Sequence, residues 1–280
     1  MPPVREDEEV TAPDIRLIAV DMDGTLLRPD GSIPDALWPL LKRLHERGIA
    51  FAPASGRQLA TLQAMFTAVD ADLDYIAENG AYVVRGDVEV SSDAVDPLVV
   101  ASVIARVRDL VSAGTLRAGL VVCGKRSAYI ENPDAEFVAE VEKYYAKLEQ
   151  TSDLLAVDDQ VLKLAIFDFD GGEAHTAPAF ADFRDSHQVV VSGAHWVDIM
   201  NTTVDKGVAL RRLQQALGVT SAQTAAFGDY LNDLQLLQAA DWSYAMADAH
   251  PDVVAVARYR APSNADAGVI TAIEDLLGLD

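Results

Sequence analysis

An α/β chain interrupted by a separate α+β block is the fold class the sequence predicts. Three observations carry it. Short apolar runs rich in β-branched residues alternate with helical-period segments up to about Val84. From there the order becomes helix followed by paired strands with short turns, the pattern of an antiparallel sheet with helices on one face. After about Asn201 the strand-helix alternation resumes. The expected parts are a core formed by residues 14–83 and 201–280, an insertion at 84–200, and a flexible acidic tail at 1–13.

The first strand is IRLIAVD. IPDALWPLLKRLHERG follows, with Leu37, Leu40, Leu41 and Leu44 at helical spacing. Ser32 is its expected N-cap and Gly48 the residue that ends it, while Pro39 is expected to kink its first turn. IAFAPASGR is a second strand entering a loop, QLATLQAMFTAV a second helix, and DYIAENGAYVV a strand and turn around Asn79-Gly80. In the inserted block, helix DPLVVASVIARVRDLVSAG precedes strands LRAGLVVCG and RSAYIEN. Helix DAEFVAEVEKYYAKLEQ precedes strand VLKLAIFDFD, and helix EAHTAPAFADFRDS precedes the pair QVVVSG and HWVDIM. The core resumes with helix KGVALRRLQQALG, strand TAAFGD, helix LNDLQLLQAA, the stretch WSYAMADA and a last helix AGVITAIEDLL.

Composition narrows the class of function. The chain has 280 residues, half of them hydrophobic, enough for one large core or two ordinary ones. The formal charge of −22 argues against nucleic acid and anionic membrane surfaces as partners, but not against a small anionic substrate beside a bound cation. No apolar run approaches the roughly 18 residues that span a bilayer. The opening MPPVREDEEVTAPD lacks the basic-then-apolar order of a signal peptide. The one cysteine, Cys123, sits in the apolar run GLVVCG and reads as a small buried hydrophobe. A cytoplasmic location is expected.

Chemistry concentrates at predicted strand ends, where open α/β sheets bind ligands. In VDMDGTLL, Asp21 and Asp23 at i, i+2 point to the same side of an extended strand. Two close carboxylates repel unless a cation or proton separates their roles. Gly24 permits a sharp turn, and Thr25 adds a hydroxyl. An Asp-rich turn is the structural alternative for this motif alone. In PASGR, Ser55 offers a hydroxyl, and the Ser55 and Gly56 N–H groups could cradle phosphoryl oxygens; an N-cap for QLATLQ is the other reading, and both can hold. Lys206 opens a helix, where the dipole disfavours a cation, so by itself it reads as a solvated residue before a phosphate ligand. In GDYLND, Asp229 and Asp233 lie about one helical turn apart beside Asn232; capping is the alternative to holding a hard cation with oxygen ligands.

Taken together, DMDGTLL, ASGR, Lys206 in DKGVAL and GDYLND resemble the motifs of the haloacid dehalogenase-like hydrolases, in their Cof-type sugar-phosphatase branch. IAENGA and AMADAHPDVVAVARY also resemble that branch, and the likeness runs from about Leu17 to Leu277. The resemblance implies a Rossmann-like parallel-sheet core with helices on both faces, plus an inserted α+β cap. It implies a Mg²⁺-dependent phosphatase of small phosphorylated metabolites, sugar phosphates foremost, acting as a monomer or homodimer. Asp21 would be the nucleophile that forms an aspartyl-phosphate, and Asp23 the acid and base. Ser55, Gly56, Lys206 and Asn232 would hold phosphate. Asp21, the Asp23 backbone carbonyl and Asp229 would hold Mg²⁺, with Thr25 and Asp233 in support. Relatives that stay phosphorylated, such as ion-pumping ATPases, carry threonine at the second aspartate, so Asp23 implies fast hydrolysis. Ser55 stands where many relatives have threonine, and MADA (Met246 to Ala249) replaces the more usual Met-Gly-Asn-Ala.

Two other functions share parts of this pattern. A sugar phosphomutase of the same fold would return its phosphoryl group. A non-catalytic ligand-binding protein would have no need of Asp21, Asp23, Lys206 and Asp229 together. A second DxDG, in AIFDFDGG, falls inside the insertion away from any partner motif; Asp168 and Asp170 are read as the end of a cap strand and Gly171-Gly172 as its turn. Lys125, Arg126 and His195 are candidate specificity groups on cap turns, each read first as a solvated turn residue.

Overall fold

The computed structural model describes residues 13–68 and 73–279, so the expected tail lies outside the described residues apart from Pro13. The chain divides into two compact units, residues 1–51 with 218–280, and residues 52–217. The expected insertion, 84–200, lies within the second. No helix among the described residues is long and apolar enough to cross a membrane.

In chain order the first elements are β1 (Leu17–Asp21), α1 (Leu37–Glu46), β2 (Ala50–Ala54), α2 (Leu59–Met65), β3 (Asp74–Ala77), β4 (Tyr82–Arg85) and β5 (Val88–Ser92). Then come α3 (Pro97–Ser112), β6 (Ala118–Gly124), β7 (Ala128–Ile130), α4 (Ala135–Val141), β8 (Leu148–Gln150), β9 (Val161–Asp168), α5 (Ala177–Ala179), β10 (His187–Val191) and β11 (Trp196–Asn201). The last are α6 (Lys206–Leu217), β12 (Thr224–Gly228), α7 (Leu234–Gln238), β13 (Trp242–Ala245), α8 (Pro251–Val256), β14 (Tyr259–Arg260) and α9 (Gly268–Leu277).

The first unit carries parallel strands in the order β14-β13-β12-β1. β1 is buried at every position, as an apolar run in a parallel sheet must be. Its register pairs Val20 with Phe227, which sets Asp21 level with Gly228 and beside the loop that carries Asp229. Helix α1 buries Leu37, Leu40, Leu41 and Leu44, the predicted stripe. It begins at Leu37, not after Ser32, because Ser32 turns back to hydrogen-bond Asp30 through its N–H and hydroxyl. Pro39 therefore sits in the first turn, where its missing N–H has no partner to lose. Gly48 closes the helix at φ 68° with its N–H on the His45 carbonyl, as expected.

The second unit contains the last three residues of β2 with β3-β4-β5, β2 and β3 being parallel and the rest antiparallel, and a six-stranded sheet in the order β10-β11-β9-β6-β7-β8. Helices cover both faces of the six-stranded sheet rather than the one expected. Leu120, Val122, Leu164 and Ile166 meet α3 residues Val103, Ile104 and Val107. Val121, Cys123, Ala165 and Phe167 point the other way and meet Phe137 and Val141 of α4. That explains why β6 and β9 are buried along their whole lengths. Cys123 is fully buried, and its burial pushes the thiol well up, as a packing residue requires. Two expected helices are shorter than predicted. α4 stops at Val141, because Tyr145 turns into the core beside Cys123 and Leu148–Gln150 pairs with β7. EAHTAPAFADFRDS folds as three short helical pieces around Pro178.

Candidate active site

In the first unit the strand ends build an acidic cluster. β1 stops at Asp21, which is buried, and Met22–Leu26 forms a wide non-helical turn closed by the Leu27 N–H on the Met22 carbonyl at 2.9 Å. Asp23 lies in this turn, not on the strand, and is exposed, so strand alternation does not set its direction. Gly24 has φ 81°, and a Cβ there would lie 2.3 Å from Asp229 Oδ2. Only glycine allows so close an approach. Carboxylate oxygens of Asp21, Asp229 and Asp233 lie within 4.8 Å of one another.

Each carboxylate is held differently. Asp229 Oδ1 accepts the Thr25 hydroxyl at 3.0 Å. Asp233, fully buried, accepts the N–H groups of Asp229 at 3.1 Å and Tyr230 at 3.3 Å on Oδ2. Asp233 thus fixes the loop that presents Asp229, which is the capping role weighed for it. Gly228 is needed beneath it, since a Cβ there would sit 2.5 Å from Asp233 Cβ. Asn232 is exposed on the same turn. Three convergent carboxylates are costly without a counter-charge, and all-oxygen donors suit a hard divalent cation.

In the second unit Ser55 is buried, but it does not cap α2. Gln58 stands at that position, and the Ser55 Oγ accepts the Arg57 N–H at 3.2 Å instead. The Ser55 N–H is also committed, to the Ile76 carbonyl at 2.8 Å, so it is not part of an anion cradle. Its hydroxyl proton is still available for donation. Lys206 is the first residue of α6, as expected, yet it is 1% exposed, which overturns the solvated reading. A lysine is almost never buried without a partner.

Sequence reasoning gave no role to the residues that join these two places. Glu78, Asn79 and Gly80 all have positive φ, at 51°, 57° and 103°. Such a run is strained for non-glycine residues. The Asn79 N–H reaches the Ser55 carbonyl at 2.9 Å, and the Glu78 N–H the Arg57 carbonyl at 3.1 Å. A Cβ on Gly80 would lie 2.4 Å from the Asp205 carbonyl oxygen. The turn therefore packs Ser55–Arg57 on one side and the start of α6 on the other. The Asn-Gly pair in IAENGA was the available signal.

Residues 18–273 match the haloacid dehalogenase-like hydrolases. The chain belongs to that family. It is 31% identical over 266 residues to the 5-amino-6-(5-phospho-D-ribitylamino)uracil phosphatase YbjI of Escherichia coli, covering 94% of this chain and 96% of that protein. It is 29% identical over 244 residues to the HMP-PP phosphatase of Cronobacter sakazakii, covering 86% and 87%. The crystal structure of SMU.1108c from Streptococcus mutans superposes with a TM-score of 0.80 at 29% identity, over 94% of this chain and 99% of that one. The Cof-type branch and the α/β core with its inserted cap, both expected from the motifs, hold.

In this haloacid dehalogenase-like hydrolase the second DxDG has a structural task. Asp168 is fully buried at the end of β9. Its Oδ1 accepts the Asp170 N–H at 2.9 Å and its Oδ2 the Thr176 hydroxyl at 2.8 Å. It ties the strand to the turn that follows, as predicted. Of the cap-turn candidates, Lys125 pairs with both Glu89 oxygens at 2.9 Å and is not solvated. Arg126 is exposed near Asp159, and His195 holds the Asp168 carbonyl at 2.8 Å.

Proposed function

We propose that the chain is a Mg²⁺-dependent phosphatase of small phosphorylated metabolites, sugar phosphates foremost, working through an aspartyl-phosphate on Asp21. The observation that carries this reading is the convergence of Asp21 and Asp229 at the ends of adjacent parallel strands, with Asp233 and Thr25 bracing Asp229. The family match and the phosphatase names of the relatives support it. Residues 14–83 and 201–280 would be the catalytic core and 84–200 the cap.

The chemistry falls to the chain's own residues. An Asp21 carboxylate oxygen attacks phosphorus as the bond to the leaving oxygen breaks, and the Asp23 carboxyl gives that oxygen its proton. The resulting Asp23 carboxylate then takes a proton from water, which attacks phosphorus and frees phosphate from Asp21. The Ser55 hydroxyl, the Gly56 N–H, Lys206 and Asn232 orient the phosphoryl oxygens, which is most of what phosphoryl transfer asks of a protein. Asp21, Asp229 and the Asp23 carbonyl would hold Mg²⁺, with Asp233 beside them. When bound, the ion neutralises charge on carboxylates and phosphoryl oxygens. The cap would exclude water and meet the rest of the substrate. A cytoplasmic enzyme, monomeric or homodimeric, fits this chemistry.

Release of inorganic phosphate from a panel of phosphate esters, with and without Mg²⁺, tests the reading for the wild type and Asp21→Asn. Metal-dependent release that Asp21→Asn abolishes is the expected result. No release from any ester sinks the phosphatase, and dependence on a bisphosphate activator with phosphate retained as ester replaces it with a mutase.

A further inference from the structure

Lys163 is a buried cation to which neither the motifs nor the proposed mechanism gives a task. It lies on β9, the central strand of the six-stranded sheet, between Leu162 and Leu164, which face the opposite side. Its side chain is 5% exposed. The ammonium has three neighbours at bonding or near-bonding distance: Glu78 Oε2 at 2.9 Å, Asp198 Oδ2 at 3.4 Å and the Gly56 carbonyl oxygen at 3.2 Å. The Gly56 carbonyl accepts a hydrogen bond from the ammonium, and the two carboxylates stand beside it as ion-pair partners. Burial alone would lower the lysine pKa, but the two carboxylates win and hold it well above its ordinary value, so the cation persists.

The neighbours show where this charge acts. Glu78 is itself buried and strained at φ 51°, and neither of its carboxylate oxygens has a hydrogen-bond partner among the described residues. A buried carboxylate in that state is costly, and burial pushes its carboxyl up against the pull of Lys163, the cation beside it. The same turn hydrogen-bonds Ser55 and Arg57 through its backbone, and a Cβ on Gly56 would lie 3.0 Å from the Asn79 side-chain amide. Lys163 thus closes a frame around Ser55-Gly56-Arg57 from the side of the inserted sheet, with its own donor on the loop's carbonyl.

We propose that Lys163 is a positioning residue for phosphate binding: with Glu78 and Asp198 as counter-charges, it fixes the Gly56–Arg57 peptide, whose N–H donates to Ser55 Oγ, so that the Ser55 hydroxyl and the Gly56 N–H meet a phosphoryl oxygen. The proposal rests on the phosphatase reading above. It assigns a residue of the insertion to the phosphate end of the substrate, not to the leaving group.

The test uses the full-length enzyme with Mg²⁺, an ester the wild type hydrolyses, and inorganic phosphate as competitive inhibitor. Lys163→Met alone would strand two carboxylates, so the informative variant is Lys163→Met/Glu78→Gln, which removes one charge of each sign at similar volume. Because Asp198 still loses its cation, the expected result is a melting temperature between those of Lys163→Met and wild type, a kcat lower by about tenfold or more, and a phosphate inhibition constant raised by a similar factor. A purely structural triad predicts a double variant with wild-type kcat and inhibition constant, and that result overturns the proposal. Lys163→Arg is the second variant, should the double variant not fold. It keeps the charge, but its planar fork cannot reproduce three donors radiating from one nitrogen. Weakened phosphate inhibition in Lys163→Arg supports the proposal, and unchanged inhibition overturns it. A wild type that releases no phosphate from any ester refutes the phosphatase reading instead, and so is told apart from failure of this one.

Discussion

The Thr25 hydroxyl donates to Asp229 Oδ1 at 3.0 Å, joining two loops 204 residues apart in the chain. Thr25 is fully buried and Asp229 only partly, so a buried hydroxyl pins a half-buried carboxylate. Replacing the hydroxyl by a methyl leaves the packing and removes the pin. Thr25→Val is expected to lose about 1 kcal/mol of stability and to bind Mg²⁺ about tenfold more weakly. Thr25→Ser is expected to restore affinity. Isothermal titration with Mg²⁺ and a urea melt check both, and unchanged affinity in Thr25→Val would show that Asp229 needs no such support.

Gly24 is the steric counterpart of that bond. A Cβ at Gly24 would fall 2.3 Å from Asp229 Oδ2 in a backbone conformation of φ 81°. Gly24→Ala is expected to push Asp229 aside and abolish Mg²⁺-dependent turnover, while circular dichroism still reports a folded chain. Full activity in Gly24→Ala would mean that Asp229 moves without cost and is not a fixed ligand.

How far these relationships could be read beforehand depends on their range. The strand ends at Asp21 and Gly228 were legible because apolar runs that end in Asp or Gly-Asp carry their own signal. The α1 stripe was legible for the same local reason, and so was the turn beyond AIFDFDGG. Ser32 and Ser55 were not, because a serine that could cap a helix can equally cap a turn, and in both cases the turn won. For Lys206 taken alone the dipole argument points to solvent, because it knows nothing of burial; only the company of the other motifs points to phosphate. The α4 boundary failed because Tyr145 is drawn into the core against helical continuation. Glu78 and Lys163 are 85 positions apart and meet only through tertiary pairing, so no local pattern announced them.

The two DxDG copies separate chemistry from architecture. Asp21→Asn is expected to lose phosphatase activity and keep the fold. Asp168→Asn is expected to keep activity, because its oxygens already serve the Asp170 N–H and the Thr176 hydroxyl. Its amide puts a donor where one of those acceptors stood, at a cost of about 1–3 kcal/mol. Turnover numbers and urea midpoints on the two variants should move in opposite columns. An inactive but stable Asp168→Asn is the outcome that contradicts the assignment.

One share of the acid sensitivity should be traceable to Arg108 and its two carboxylates in the insertion. Arg108 reaches Glu131 Oε1 at 2.8 Å through Nε and Asp153 Oδ1 at 2.7 Å through Nη2. Its hydrogen bonds hold the Glu131 carboxyl below its ordinary value against partial burial, and they lower Asp153 likewise. A depressed carboxyl stabilises the fold above its unfolded pKa, and that share is lost as pH falls through the lower folded value. The window therefore opens below about pH 4.3 for Glu131. The Arg108 side chain is 38% exposed, so solvent screening limits the Glu131 share to about 1 kcal/mol or less. Arg108→Met is expected to be less stable than wild type near neutral pH by that amount, with the gap closing as both carboxyls protonate. Urea melts of the two proteins across this range measure it. A gap that stays constant into acid would assign the loss to packing of the arginine stem, not to the ion pairs.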